Sequence, residues 1–177
     1  KSYEGIKPII GCEVYLAPDS RHNRNYNDTK YFHLVLLAEN NIGYKNLVKL
    51  VSLASLEGFY YKPRVDKELL QKYHEGLIAL SACVNGEIPR AILNNDTIRA
   101  VELVEEYAEI FGRDNFFLEI QNHGLDSEGI VRKALIEISR QLNIPLVATN
   151  DVHYVKQSDS VAHDVLLCLQ TNKTLSD

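Results

Sequence analysis

The 177-residue chain reads as an α/β protein built on a mostly parallel sheet covered by helices. Short apolar runs rich in β-branched residues alternate with longer segments whose apolar side chains recur every three or four positions. Turns rich in Asn, Asp and Gly separate the two kinds, and such alternation builds βαβ units. No internal repeat and no low-complexity linker interrupts the pattern, so residues 1–177 are taken as one domain.

The elements follow in order. Pro8 to Ala17 (PIIGCEVYLA) and Tyr31 to Ala38 (YFHLVLLA) are β-type runs separated by a loop rich in Asn, Asp, Ser and Arg. No helix lies between them, so this first unit is incomplete. From Ile42 to Leu56, residues Leu47, Val48, Leu50, Val51 and Ala54 fall on one side at helical spacing. Asp66 can cap a short helix from Lys67 to Tyr73, which ends before Gly76. Leu77 to Leu80 is a third strand. Asp96 can cap a helix running to Phe111, and Gly112 stops it. Phe116 to Ile120 is a fourth strand. Ile130 to Leu142 is a helix with Val131, Ala134, Leu135 and Ile138 as its apolar stripe. Ile144 to Ala148 is a fifth strand, and Ser158 to Leu169 the last helix.

Composition excludes several classes. Hydrophobic content of 45% and charged content of 24% are those of a globular protein. A net charge of -5 argues against gripping nucleic acid through bulk positive charge. Cys12, Cys83 and Cys168 form no disulfide framework, which predicts a reducing, cytoplasmic setting. No apolar stretch approaches the roughly 20 residues of a membrane span, so no membrane partner is expected. The chain opens on Lys1 and contains no Met, which predicts a segment of a longer protein.

Ligand-type residues gather where strands end. Parallel α/β folds present ligands beyond the carboxyl ends of their strands. Strand 77–80 runs into Ser81-Ala82-Cys83, strand 116–120 into Gln121-Asn122-His123, and strand 144–148 into Asn150-Asp151-Val152-His153. Side chains two apart in extended chain point to one side, so Asp151 and His153 can serve one point. Glu13 and His33 interrupt the first two apolar strands, and an ionisable group there needs a partner or a metal.

Taken singly, each residue has a plainer role. Glu13 could face solvent, His33 could bond a carbonyl in the core, and Cys83 could be a small buried hydrophobe. His123 could sit in a turn, and Asp151 could cap one. A Cys83–His123 nucleophilic pair is conceivable but has no other support. The five places reinforce one another, because one end of the sheet would collect them all. Phe59-Tyr60-Tyr61-Lys62-Pro63-Arg64 mixes aromatic and basic side chains, as a single-strand contact would, or forms a packed loop between helices. No Gly-rich phosphate cradle and no Gly-x-Ser-x-Gly elbow is present.

Longer blocks carry a resemblance. They include Gly5 to Ala17 (GIKPIIGCEVYLA), His33 to Asn40 (HLVLLAEN), Glu57 to Arg64 (EGFYYKPR) and Gly76 to Cys83 (GLIALSAC). Phe117 to Gly124 (FLEIQNHG), Ala148 to Tyr154 (ATNDVHY) and Ala162 to Thr171 (AHDVLLCLQT) continue the series. In this order they resemble the PHP (polymerase and histidinol phosphatase) domain of bacterial replicative DNA polymerase III alpha subunits, over nearly the whole chain.

The resemblance implies an irregular (β/α)7 TIM-like barrel, incomplete here at its N-terminal end. The His-x-His strand and the Asp and His after it would lie upstream of Lys1. The family's metal ligands match Glu13, His33, Cys83, Asp151 and His153, with Asp151 the candidate catalytic carboxylate bridging two ions. His123 and Asn150 would stand behind them. The implied cofactor is a divalent cluster of zinc or manganese, and the implied chemistry is 3′–5′ exonuclease cleavage of phosphodiesters. Template-directed DNA synthesis, with its magnesium-binding acidic triad, would lie beyond Asp177. Implied partners are DNA, the sliding clamp and the exonuclease subunit. A free-standing metal-dependent phosphatase and a non-catalytic, metal-stabilised scaffold are the alternatives.

Overall fold

A computed structural model describes residues 5, 7–25 and 31–176. Its strands are β1 (Gly11–Leu16), β2 (Phe32–Ala38), β3 (Arg64–Val65), β4 (Leu77–Leu80), β5 (Phe116–Ile120) and β6 (Leu146–Ala148). Its helices are α1 (Asn41–Leu56), α2 (Lys67–Lys72), α3 (Glu87–Leu93), α4 (Thr97–Phe111), α5 (Asp126–Leu142) and α6 (Ser160–Thr171). The strands form one six-stranded sheet in the order β3-β1-β2-β4-β5-β6. Neighbours pair in parallel except around β2, which runs against both β1 and β4. The expected mostly parallel sheet is therefore present, with one reversed strand.

Local chemistry sets the boundaries. Asn40 accepts the backbone N–H groups of Ile42 and Gly43 and starts α1. Asp66 accepts from Leu69 and starts α2, and Asp96 accepts from Arg99 and starts α4. Gly112, at φ +87°, ends α4 in a conformation that side chains resist. Three elements depart from expectation, the first being the short strand β3, where only a loop was expected. Helix α3 follows Gly86 and contains Pro89, both of which read as breakers. Both lie at the helix start, where a missing N–H breaks no intrahelical bond. Helix α5 begins at Asp126 rather than Ile130.

The pleat divides the sheet into two faces. Val14, Leu16, Leu34, Leu36, Leu77, Ala79, Phe116 and Leu118 are buried in one apolar cluster with side chains of α1, α3, α4 and α5. Fully burying one such Leu or Phe contributes about 1.5–3 kcal/mol. On α1 the buried residues are Gly43, Leu47, Leu50 and Ala54. Val48 and Val51, expected beside them, are exposed, because the stripe facing the sheet is narrower than the apolar run. The alternate residues Glu13, Tyr15 and His33 take the opposite face.

An ionic cluster holds the loop after β1. The Arg21 guanidinium donates to both Asp66 carboxylate oxygens at 3.0 Å and to Glu57 at 2.9 Å. Buried Arg64 donates to the carbonyls of Gly58, Arg21 and Asn23. Among the described residues, no helix is long and apolar enough to cross a membrane.

Candidate metal centre

The antiparallel register of β1 and β2 sets the first two ligand-type residues side by side, and the antiparallel pairing of β2 with β4 brings His33 to the end of β4 that leads to Cys83. Tyr15 lies opposite His33 in the antiparallel register, and Glu13 lies opposite Val35. Glu13 and His33 are thus diagonal neighbours on one face, within reach of long side chains. His33 Nδ1 and Glu13 Oε1 are 3.0 Å apart. Had β2 run parallel, His33 near its amino end would sit at the far edge of the sheet.

Cys83 arrives through the turn after β4. Its Sγ lies 3.7 Å from His33 Nδ1. The turn is closed by Gly86 N–H donating to the Cys83 carbonyl at 2.8 Å. His33 N–H donates to the Asn85 carbonyl at 3.1 Å, tying this turn to β2. A side chain at Gly86 would bring its Cβ to 2.1 Å from the Ser81 carbonyl oxygen, so only glycine fits. Ala82 has φ +64°, a left-handed conformation that costs energy in a non-glycine residue.

The electrostatics are those of a proton held in common. The Cys83 sulfur, then the Glu13 carboxylate, raise the His33 pKa from 6.5 to about 9. The hydrogen bond from His33 in turn lowers the Glu13 pKa, and the nearby His153 imidazole adds to that lowering. A cation could take the proton's place. The donor atoms of Glu13, His33 and Cys83 all lie within 4.8 Å of one another. Donors in a tetrahedral site with bonds of 2.0–2.3 Å are about 3.3–3.8 Å apart, so the set fits a divalent ion with little movement. Imidazole, sulfur and carboxylate donors together are the kind of set that holds a divalent transition metal.

Asp151 and His153 are not among those three donors. Asp151 follows β6 with φ +39°, so the alternation of extended chain is broken there. Its carboxylate helps to raise the His123 pKa. His153 is exposed and its Nδ1 lies 2.7 Å from the Asp151 carbonyl. The conceivable Cys83–His123 pair is not formed, since the thiol faces His33 instead. His123 has Nδ1 2.6 Å from Glu128 Oε1 and Nε2 2.8 Å from the Asn150 carbonyl. With an acceptor at each ring nitrogen, first the Glu128 carboxylate and then that carbonyl, the His123 pKa is raised. The residue thus ties the start of α5 to the chain just before Asp151.

Two further acids belong to this region. Glu128 also accepts the backbone N–H of His123 at 2.6 Å and of Leu125 at 3.3 Å, the reach-back expected of an acid in the first turn. Glu119 is 6% exposed, bonded through Oε1 to Thr149 and to Gln121, while its buried Oε2 has no hydrogen-bond partner among the described residues. Glu119 and Cys83 line a cavity of about 10 Å³, room for one water. The sequence signal was present, because Glu119 interrupts an apolar strand just as Glu13 does.

The PHP domain family matches residues 1–123. The chain belongs to that family. It is 53% identical to the DNA polymerase III subunit alpha of Treponema pallidum over 178 residues, covering 99% of this chain and 15% of that protein. It is 48% identical to the corresponding subunit of Borreliella burgdorferi, covering 98% of this chain and 15% of that protein. Identity to the Thermus aquaticus subunit is 50%, covering 98% of this chain and 14% of that protein. This PHP domain therefore spans about a seventh of the relatives it matches. The family match ends at His123, ahead of Asp151 and His153.

Proposed function

We propose that this PHP domain is the metal-dependent hydrolytic part of a DNA polymerase III alpha subunit, trimming the 3′ end of DNA by phosphodiester hydrolysis. The observation that carries the reading is the donor triad, Glu13, His33 and Cys83, on the site face of the sheet. His153 lies close enough to Glu13 to be felt electrostatically. Asp151 and His153 complete the ligand set in this reading, and Asp151 is its catalytic carboxylate. Bound divalent ions of zinc or manganese would supply an acidified water and neutralise charge on the phosphoryl oxygens. The chain's own part is to hold the donors. β1 and β2 fix Glu13 and His33, the Gly86 turn fixes Cys83, and the His123–Asn150 contact steadies the approach to Asp151.

The length of the relatives supports placing the domain within a polymerase. There it would act beside a magnesium-dependent site for nucleotide addition, with DNA, a sliding clamp and an exonuclease subunit as partners. Strands outside this segment would close the open sheet into a (β/α)7 barrel. A free-standing phosphatase accords poorly with relatives several times longer. Asp151→Asn in the full-length subunit tests the function. Primer trimming should fall by at least about a hundredfold while primer extension survives on the same preparation. Unchanged trimming in a folded variant would overturn the catalytic reading and leave a metal-stabilised scaffold.

A further inference from the structure

Resting on that reading, the geometry points to a base-stacking track beside the triad, formed by Tyr15, Tyr31, Tyr61 and Lys62, that seats unpaired bases of single-stranded DNA. The track starts at a ligand. The Tyr31 ring lies parallel to His33, with an interplanar angle of 1° and centroids 6.0 Å apart. Tyr15 meets Tyr31 edge-on at 4.6 Å and His33 at 5.3 Å. Lys62 Nζ stands 5.6 Å from the centre of the Tyr15 ring. Beyond Lys62 the chain turns back, with Tyr60 N–H donating to the Lys62 carbonyl at 3.0 Å and Tyr61 at the tip.

Two features separate this arrangement from ordinary aromatic packing. Tyr61 is 59% exposed and neighbouring Phe59 is 55% exposed, so neither ring fills a core. Tyr61 also has φ +58°, a costly conformation for a bulky residue, and its ring meets Tyr60 edge-on at 4.7 Å while staying largely exposed. The loop that presents it is closely packed. Gly58 packs so closely that an added Cβ would lie 1.9 Å from the Arg64 carbonyl oxygen, and Arg64 is bonded back to Gly58 at 3.2 Å.

Aromatic faces with an intervening ammonium match successive bases and the phosphate between them, without sequence preference. Stacking also explains how a chain of net charge -5 could hold nucleic acid without a broad basic surface. A terminal base on Tyr31 brings its sugar and phosphate to the His33 side of the ring. A paired base offers no free face, so the track selects frayed or unpaired 3′ ends.

The test uses the full-length subunit with chelator present, so binding is read apart from cleavage. A short oligodeoxythymidylate carrying 5-iodouracil near its 3′ end is photo-crosslinked, and the attachment site is mapped by mass spectrometry. Crosslinks are expected at Tyr31 or within residues 59–62. Tyr61→Leu and Lys62→Gln, both at exposed positions, should raise the oligonucleotide concentration for half-maximal crosslinking here at least about fivefold. Tyr61→Phe should restore it, since a phenyl face stacks as well. Crosslinks confined to other segments, equal crosslinking to a blunt duplex, or no effect of Tyr61→Leu would each overturn the track. A subunit that crosslinks here yet never trims DNA supports the track and overturns the hydrolytic reading instead.

Discussion

His33 shares its proton with two acceptors, and a cation that binds the triad must expel it. With the folded pKa at about 9, raised chiefly by Cys83 and then by Glu13, the imidazole is protonated throughout the neutral range. Metal affinity should therefore fall as the pH is lowered, by close to tenfold per unit well below pH 9. Allowing for half-titration at pH 9, the expected loss between pH 9 and pH 7 is roughly fiftyfold. An imidazole at its ordinary value of about 6.5 would give less than about a twofold change over the same range. The assay is zinc affinity by competition with a chelator at pH 7, 8 and 9. Calorimetry in buffers of different ionisation enthalpy counts the protons released. Cys83→Ala, which removes the largest contributor to the shift, should flatten the dependence as well as weaken binding. A change below threefold between pH 7 and 9 in the unaltered protein would refute the proton shared by His33 with Cys83 and Glu13.

The same proton sets the stability of the metal-free protein. Folding raises the His33 pKa from 6.5 to about 9, so its stabilising effect is full below pH 6.5 and lost as pH rises through about 9. Urea midpoints should fall over that window, and His33→Gln should remove the fall; a flat profile would contradict the shared proton. Gly86→Ala would push a Cβ against the Ser81 carbonyl. It should destabilise by about 1–3 kcal/mol and weaken zinc binding at least about tenfold, read by urea unfolding and chelator competition. Unaltered zinc affinity would show that the turn does not position Cys83.

Much of the fold was legible because capping chemistry is local. Asp66 and Asp96 act within three residues, and Gly112 marks its helix end by conformation alone. The direction of β2 was not legible. An apolar strand reads the same either way, and only pairing partners distant in sequence reveal which neighbour it opposes. The triad was anticipated within a wider group of ligand-type residues at one end of the sheet, but its assembly was not: His33 reaches Cys83 through the reversal of β2, which sets Val35 opposite Leu80. Val48 and Val51 misled for a related reason: helical spacing marks an apolar side but not how much of it another element covers. The region of Asp151 and His153 was legible as a strand end. Its backbone was not, because the left-handed turn at Asp151 has no marker such as Gly.

The antiparallel ladder of β1 and β2 also governs which changes the protein can survive. One residue inserted in either strand would turn every later side chain to the opposite face, sending Glu13 or His33 toward the apolar cluster. The connection from Leu16 to Phe32 faces no such register arithmetic, and by loop-closure entropy in general added length costs only about 0.6 kcal/mol per doubling. Insertions and deletions in descendants of this sequence should therefore collect between the two strands, while the count of residues within each stays fixed.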